Sequence, residues 1–233
     1  MNLVITPKLT NENNREYSYR ILRKNIMSLQ LIPGENINEH ELSNLFSMSR
    51  TPIHESLINL KNEYLIDVLP QSGSKISKIS IQILKEGLYL RSIIEPDLIK
   101  SLMETIHPNQ LSILFNILNQ QKKVLNAPDN IDSFFKLDDL YHKTIYDISG
   151  KPHIWTATKK LCSHFDRVRY LDAIINGTDL STIFEEHNQI YHYLMIGTSS
   201  DFDIHAFYES HLNSFKKRFY DIMKNYPDYF VTD

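Results

Sequence analysis

Several things are scarce in this 233-residue chain. It has a single cysteine, Cys162, so no internal disulfide can form and a reducing, cytoplasmic setting is expected. Six glycines and nine prolines are too few for a collagenous or low-complexity chain. No apolar run approaches the roughly 18 residues of a membrane span, so no membrane partner is expected. The stretch Met1–Asn13 is polar and lacks the apolar core of a secretory signal. A basic excess is also missing. Lys and Arg number 25 against 28 Asp and Glu, a net charge of −3, which argues against non-specific coating of nucleic acid. What is present is ordinary core material: 42% hydrophobic residues, enough for one large domain or two modest ones.

The patterning changes near Ser80. Before it, short helical runs lead into strand-like runs; after it, everything reads as helix. In Tyr17–Leu29 the apolar Ile21, Leu22, Ile26 and Leu29 fall near a 3.6 period, and Ile32-Pro33-Gly34 stops the run. Asn38 can cap a short second helix holding Leu42, Leu45 and Phe46. Ser49 can cap a third, with Pro52 in its first turn, and Ile53, Leu57, Leu60 and Tyr64 are expected on its inner face. Leu65–Leu69 and Lys75–Lys78 then flank Gln71-Ser72-Gly73-Ser74, a hairpin with glycine at its tip. Six amphipathic segments follow, near 80–104, 108–125, 130–148, 152–174, 179–197 and 203–225. Pro96 is expected to kink the first. The fold class is therefore mainly α. A winged helix-turn-helix of three helices plus a small β-hairpin over residues 1–78 precedes an all-α antiparallel bundle over 79–233.

That helix order carries a specific chemistry. The third helix is narrow enough for the major groove, and its N-terminal residues meet base edges first. Arg50 and Thr51 stand there, and Arg50 can donate two bonds to one guanine. Ser49 and the free N–H groups beside it suit phosphate, as do Gly73 and Lys75 at the hairpin tip. Residues 1–78 hold nine Lys and Arg against eight Asp and Glu, a net of +1, so the acidic surplus belongs to the later residues.

Leu31-Ile32-Pro33-Gly34-Glu35, Glu41-Leu42-Ser43 and Ser49-Arg50-Thr51-Pro52-Ile53-His54-Glu55-Ser56-Leu57 resemble, in order and spacing, the DNA-binding domain of GntR-family transcription regulators. The family pattern at the third helix is SRTPVREAL; here His54 replaces its Arg, and His40 replaces an Arg usual on the second helix. The resemblance implies a homodimer on a pseudo-palindromic DNA operator, contacted through Ser49, Arg50, Thr51, His54, His40, Gly73 and Lys75. A neutral imidazole has one donor where guanidinium has five, so histidine at 40 and 54 should weaken contact and make it sensitive to pH.

The helical half holds a possible metal set. Asp138 and His142 are four apart and share a helix face, while His187 and His211 lie on two further predicted helices. Turned inward together they make an N₃O donor set suited to zinc, nickel or a similar divalent ion. Spacing alone also fits a solvated Asp–His pair. Asp139, His164, His192 and His205 are expected to face elsewhere, and Glu186 to face away from His187. Asp138-Asp139-Leu140-Tyr141-His142 with Ile148-Ser149-Gly150, Glu186-His187 with Ile190, and Ser210-His211-Leu212 resemble the metal-bearing helices of the FCD domain, which defines the FadR-like GntR subgroup. The resemblance implies Asp138, His142, His187 and His211 as ligands, and a small carboxylate or sugar acid as effector. Arg91 either pairs with that anion or closes a helix-face bridge to Glu95. Arg167 and Arg169 are expected on a solvated face, the alternative being that one of them lines the pocket. Alternatives are a regulator that responds to metal, or holds it structurally, without an organic effector, and a metal-dependent hydrolase. Against the hydrolase, no general base is evident beyond Glu186, so no enzyme activity is expected.

Overall fold

A computed structural model describes residues 3–69, 73–125, 127, 131–177, 179–197 and 202–231. The protein is mainly helical with small sheets. Backbone contacts group it into two compact units that are not consecutive in sequence. One is Met1–Glu86 with Lys160–Leu171 and Phe219–Asp233; the other is Gly87–Lys159 with Asp172–Arg218.

The first unit opens with α1 (Asn14–Met27), which begins three residues before the expected Tyr17. Asn13 Oδ1 accepts from Glu16 N, and Glu16 Oε2 accepts from Asn13 N, so two otherwise free helix-end donors are satisfied. After β1 (Asn36–Ile37) comes α2 (Glu39–Phe46), capped by Asn38 as expected, its side chain accepting from His40 N and Glu41 N. Ser47, with φ +52°, turns the chain into α3 (Arg50–Lys61). Ser49 stands at the cap position but makes no side-chain cap bond. Strands β2 (Ile66–Leu69) and β3 (Gly73–Ile76) pair antiparallel, and β1 adds to the other edge of β3, giving the order β1-β3-β2. β1 was not expected, because two residues are too short to display alternation. Gln71 and Ser72 of the expected hairpin tip lie outside the described residues, while Gly73 and Ser74 begin β3.

Ile21, Leu22, Ile26, Leu31, Leu42, Ile53, Leu57, Leu60 and Leu65 close over one core. Each such burial stabilises by about 1.5–3 kcal/mol. Tyr64 does not join them. The chain has left α3 by then, φ at Tyr64 is +59°, and its ring is exposed. Where α1 meets α3 the contact is between small residues: Ser18 and Ser56 are buried with their hydroxyls 2.6 Å apart. β4 (Ile79–Ser80) leads into α4 (Ile81–Thr105), which runs unbroken through Pro96.

The second unit is helical. α5 (Pro108–Leu125) packs against α6 (Ile131–Ile148) and, further on, α9. The segment expected as one helix over 152–174 is two, α7 (Pro152–Leu161) and α8 (Ser163–Asn176). α9 (Leu180–Ile196) follows. The segment expected over 203–225 is likewise two, α10 (Ile204–Asn213) and α11 (Lys216–Asn225). No glycine or proline marks either break, so neither shows in the pattern. At the first, the turn at Cys162 lets His164 and Arg167 bond backbone elsewhere in the first unit. At the second, Phe215 is buried. The chain ends with β5 (Phe230–Val231), parallel to β4.

Candidate metal centre and nucleic-acid interface

Each inward stripe of the bundle carries a polar residue where periodicity asks for an apolar one. On α6 the buried face reads Phe134, Asp138, Tyr141, His142 and Ile145. On α9 it reads Phe184, His187, Ile190 and Leu194, and on α10 it reads Ile204, Tyr208, His211 and Leu212. Burying imidazoles and a carboxylate costs free energy unless something holds them. The structure brings His142, His187 and His211 together, with one ring nitrogen of each within 4.8 Å of the others. Asp138 Oδ1 lies 3.5 Å from His187 Nε2. His142 Nε2 is buried and has no hydrogen-bond partner among the described residues. Burial pushes the His142 imidazolium pKa down, against the opposing pull of Glu95, which favours the ring form with a lone pair to offer. This donor set fits a divalent ion of intermediate softness.

The rings are held from behind. Tyr141 stacks on His187 at 4.6 Å and donates its hydroxyl to the His187 carbonyl. Gln121 Oε1 is 3.1 Å from His187 Nδ1, and Glu186 Oε2 is 2.6 Å from His211 Nδ1. Glu186 is the chain neighbour of His187 on α9, and α10 brings His211 to it. Asp139 faces elsewhere and pairs with Lys159. His192 and His205 are exposed, as expected.

Beside the cluster, Arg91 and Glu95 form a buried bidentate pair at 2.6 and 3.1 Å. Burial alone would raise the Glu95 carboxyl, but Arg91 and His142 outweigh it and hold it below the usual carboxylate range. Tyr146 donates to Glu95 at 3.4 Å. The Tyr208 hydroxyl is buried within electrostatic reach of Arg91 and Glu95, and no hydrogen-bond partner for it is found among the described residues. The bridge alternative for Arg91 is thus present, yet inside the bundle rather than on a wet face. Gln121, Tyr146 and Tyr208 were not foreseen from the sequence, and Glu95 was foreseen only as a bridge partner of Arg91. The signal was a polar residue on an inward stripe, which only Asp138 and the histidines were credited with.

In the first unit Arg50, Thr51, His54, His40, Ser49 and Gly73 are exposed, and Lys75 is half-buried. Arg50 and His54 are one turn apart on α3. His54 Nδ1 meets Glu39 Oε1 of α2 at 3.0 Å, a neighbour the sequence did not suggest. Lys75 is central in the small sheet, opposite both Asn36 and Asp67. Arg167 corrects an expectation: it is wholly buried, and its guanidinium donates to the Ser77 carbonyl at 2.9 Å and to the Ser77 hydroxyl at 3.3 Å. Burial pushes its pKa below the ordinary arginine range. Arg169 lies over the Phe165 ring rather than in solvent.

Residues 16–76 match the family described as bacterial regulatory proteins, gntR family, and residues 86–195 match the FCD domain. The HTH-type transcriptional repressor RspR of Escherichia coli strain K12 is 34% identical over 153 residues, covering 66% of this chain and 67% of that one. An HTH-type transcriptional regulator from an unstable DNA locus of Streptomyces ambofaciens is 30% identical over 179 residues, 76% of this chain and 74% of that one. Among solved structures, Escherichia coli McbR/YncC superposes with a TM-score of 0.70 at 18% identity, over 92% of this chain and 99% of its own. A GntR regulator of Rhodococcus sp. RHA1 does so with a TM-score of 0.70 at 13% identity, over 89% and 97%. At these identities the two structures speak for the fold alone.

Proposed function

The chain belongs to the GntR family of bacterial transcription regulators, with an FCD domain behind its winged helix, and on that footing we propose a metal-anchored, effector-responsive reader of DNA. Residues 1–78 read the operator, and residues 79–233 bind metal and effector and join two copies. Asp138, His142, His187 and His211 would hold one divalent ion, zinc, nickel or similar. When bound, the ion supplies a Lewis-acidic anchor for the carboxylate of a small organic or sugar acid. Arg91 would recognise the rest of that anion's charge, exchanging part of its bond to Glu95 for it. The observation that supports this best is the convergence of three ring nitrogens in a buried bundle that could have been filled with leucine.

On DNA, two heads of a cytoplasmic homodimer would meet two half-sites of a pseudo-palindromic duplex. Arg50 would read a base edge, Thr51 and His54 would add neighbouring contacts, and Ser49, His40, Gly73 and Lys75 would position the backbone. An effector modulates this only by binding one arrangement of the heads more tightly than the other.

The test is metal content of the purified protein, followed by a melting screen of small carboxylates with and without chelator. A carboxylate-induced rise that vanishes with chelator is expected. A rise with metal and none with any acid would replace this reading by metal sensing or structural metal alone.

A further inference from the structure

We propose that Glu186 is a positioning residue for the metal, the charged member of a set of three acceptors that fix all three imidazoles from behind. The inference rests on the metal reading above and adds residues outside the ligand set.

A metal-binding imidazole uses one nitrogen as ligand and carries a proton on the other, which needs an acceptor. Such acceptors are present for all three rings, always at Nδ1, and they come from three different helices. Glu95 of α4 lies 3.1 Å from His142 Nδ1, a polar contact without the alignment of a full hydrogen bond. Gln121 of α5 serves His187, and Glu186 of α9 serves His211. With Nδ1 so engaged, Nε2 of each ring is left for the ion.

The three acceptors differ in charge. The Glu95 carboxylate is already neutralised by Arg91. Gln121 has none. Glu186 has the shortest contact, and His211 is its basic neighbour. Asp138 and Glu186 therefore bring two negative charges to a doubly positive ion, one directly and one through His211. A carboxylate behind an imidazole also raises its basicity as a ligand. Position matters too. Glu186 is only partly covered, on the wall of an open cleft of about 390 Å³ that Ser181, Thr182, Gln189, Phe207 and Ser210 also line. Its replacement leaves no buried charge stranded, whereas loss of Glu95 would strand Arg91.

The experiment uses the full chain, stripped of metal, with Co²⁺ as probe. Affinity is measured by chelator competition for wild type, Glu186→Ala, Glu186→Gln and, as a control on the same cleft, Gln189→Ala. Glu186→Ala is expected to weaken Co²⁺ binding about 10–100-fold. Glu186→Gln, whose amide oxygen still accepts, is expected near the lower end of that range, and Gln189→Ala is expected to match wild type. A second readout is the paramagnetically shifted, exchangeable His211 N–H proton of the Co²⁺ protein. It should persist in wild type and Glu186→Gln and exchange away in Glu186→Ala, which a merely structural role would not produce. Wild-type affinity in Glu186→Ala overturns the inference, as it would if Glu186 and a protonated His211 were only an ion pair. Should the alanine variant not fold, undiminished affinity in Glu186→Gln overturns it equally. A wild-type protein that takes up no Co²⁺ refutes the metal reading itself.

Discussion

His164 and Tyr64 are 100 residues apart in sequence, and their contact is a 2.9 Å hydrogen bond from the ring Nε2 to the Tyr64 backbone carbonyl. The other ring nitrogen, Nδ1, accepts from the backbone of Ser80 at 2.9 Å. One neutral, fully used imidazole thus ties the end of α3 to the start of α4. The Tyr64 carbonyl also accepts from the Ser77 hydroxyl at 2.6 Å. His164→Ala removes the buried bond from the Ser80 N–H, at about 1–3 kcal/mol, while the Tyr64 carbonyl keeps its bond from Ser77. Urea unfolding is expected to show a loss of about 1–3 kcal/mol. A midpoint equal to wild type would show that water replaces the ring at no cost.

Arg50 stands alone among the reading residues in having a guanidinium at the exposed start of α3. Arg50→Ala should cost about 1–3 kcal/mol at one operator base pair, or roughly 5- to 150-fold, and relax preference there. Titration of operator and scrambled duplexes checks this. An equal loss on both would make Arg50 a phosphate contact instead.

The Glu39–His54 pair places a carboxylate beside the reading helix. His54→Arg restores the residue usual in the family and keeps Glu39 as its partner. Operator affinity should rise. If the new side chain meets phosphate, the slope of log K against log salt should steepen by about 0.9 for each head, or about 1.8 for a dimer on both half-sites. Binding measured at several salt concentrations separates that from a base contact, which would raise affinity and leave the slope alone.

Metal removal should lower stability by mass action. At free metal 100 times its dissociation constant, the native state gains about 2.7 kcal/mol. Melting with excess Zn²⁺ against excess chelator is expected to show that difference in wild type and to lose it in His142→Ala. A variant that keeps the full metal response would remove His142 from the ligand set.

How much of this was legible beforehand differs by region. Arg50, Thr51 and Pro52 announce a helix start, and Asn38 caps α2 as read, because those signals are local. Asp138 and His142 sit on one inward stripe because i and i+4 share a face. What escaped is tertiary. Glu186 is 25 residues from His211 in sequence, so only the placement of α10 brings the two together. Arg167 looked like a solvated arginine because nothing in Asp166-Arg167-Val168-Arg169 encodes Ser77, 90 positions earlier. The breaks inside 152–174 and 203–225 carry no glycine or proline, and they are set by what the flanking side chains bury.

Acid sensitivity offers a last check, at the N-terminal end of α1. Glu12 accepts from Arg20 Nε at 2.6 Å and from the Leu9 backbone at 3.0 Å. Hydrogen bonds from Arg20 and Leu9, against a smaller opposing effect of burial, bring its carboxyl from 4.5 down to about 2. A carboxylate with a depressed folded-state pKa stabilises the native state above its unfolded value and loses that contribution as pH falls through the folded one. The pair is therefore fully effective above about pH 4.5 and fades between there and pH 2. Its contribution is small, because Arg20 is partly solvated. Carboxyl NMR titration should place Glu12 near 2, and Arg20→Met should return it toward 4.5. Glu12→Gln should flatten the acid limb of stability in that window while leaving metal binding untouched, since the site lies in the other unit. A Glu12 titration unchanged by Arg20→Met would assign the depression to the backbone bond from Leu9 instead.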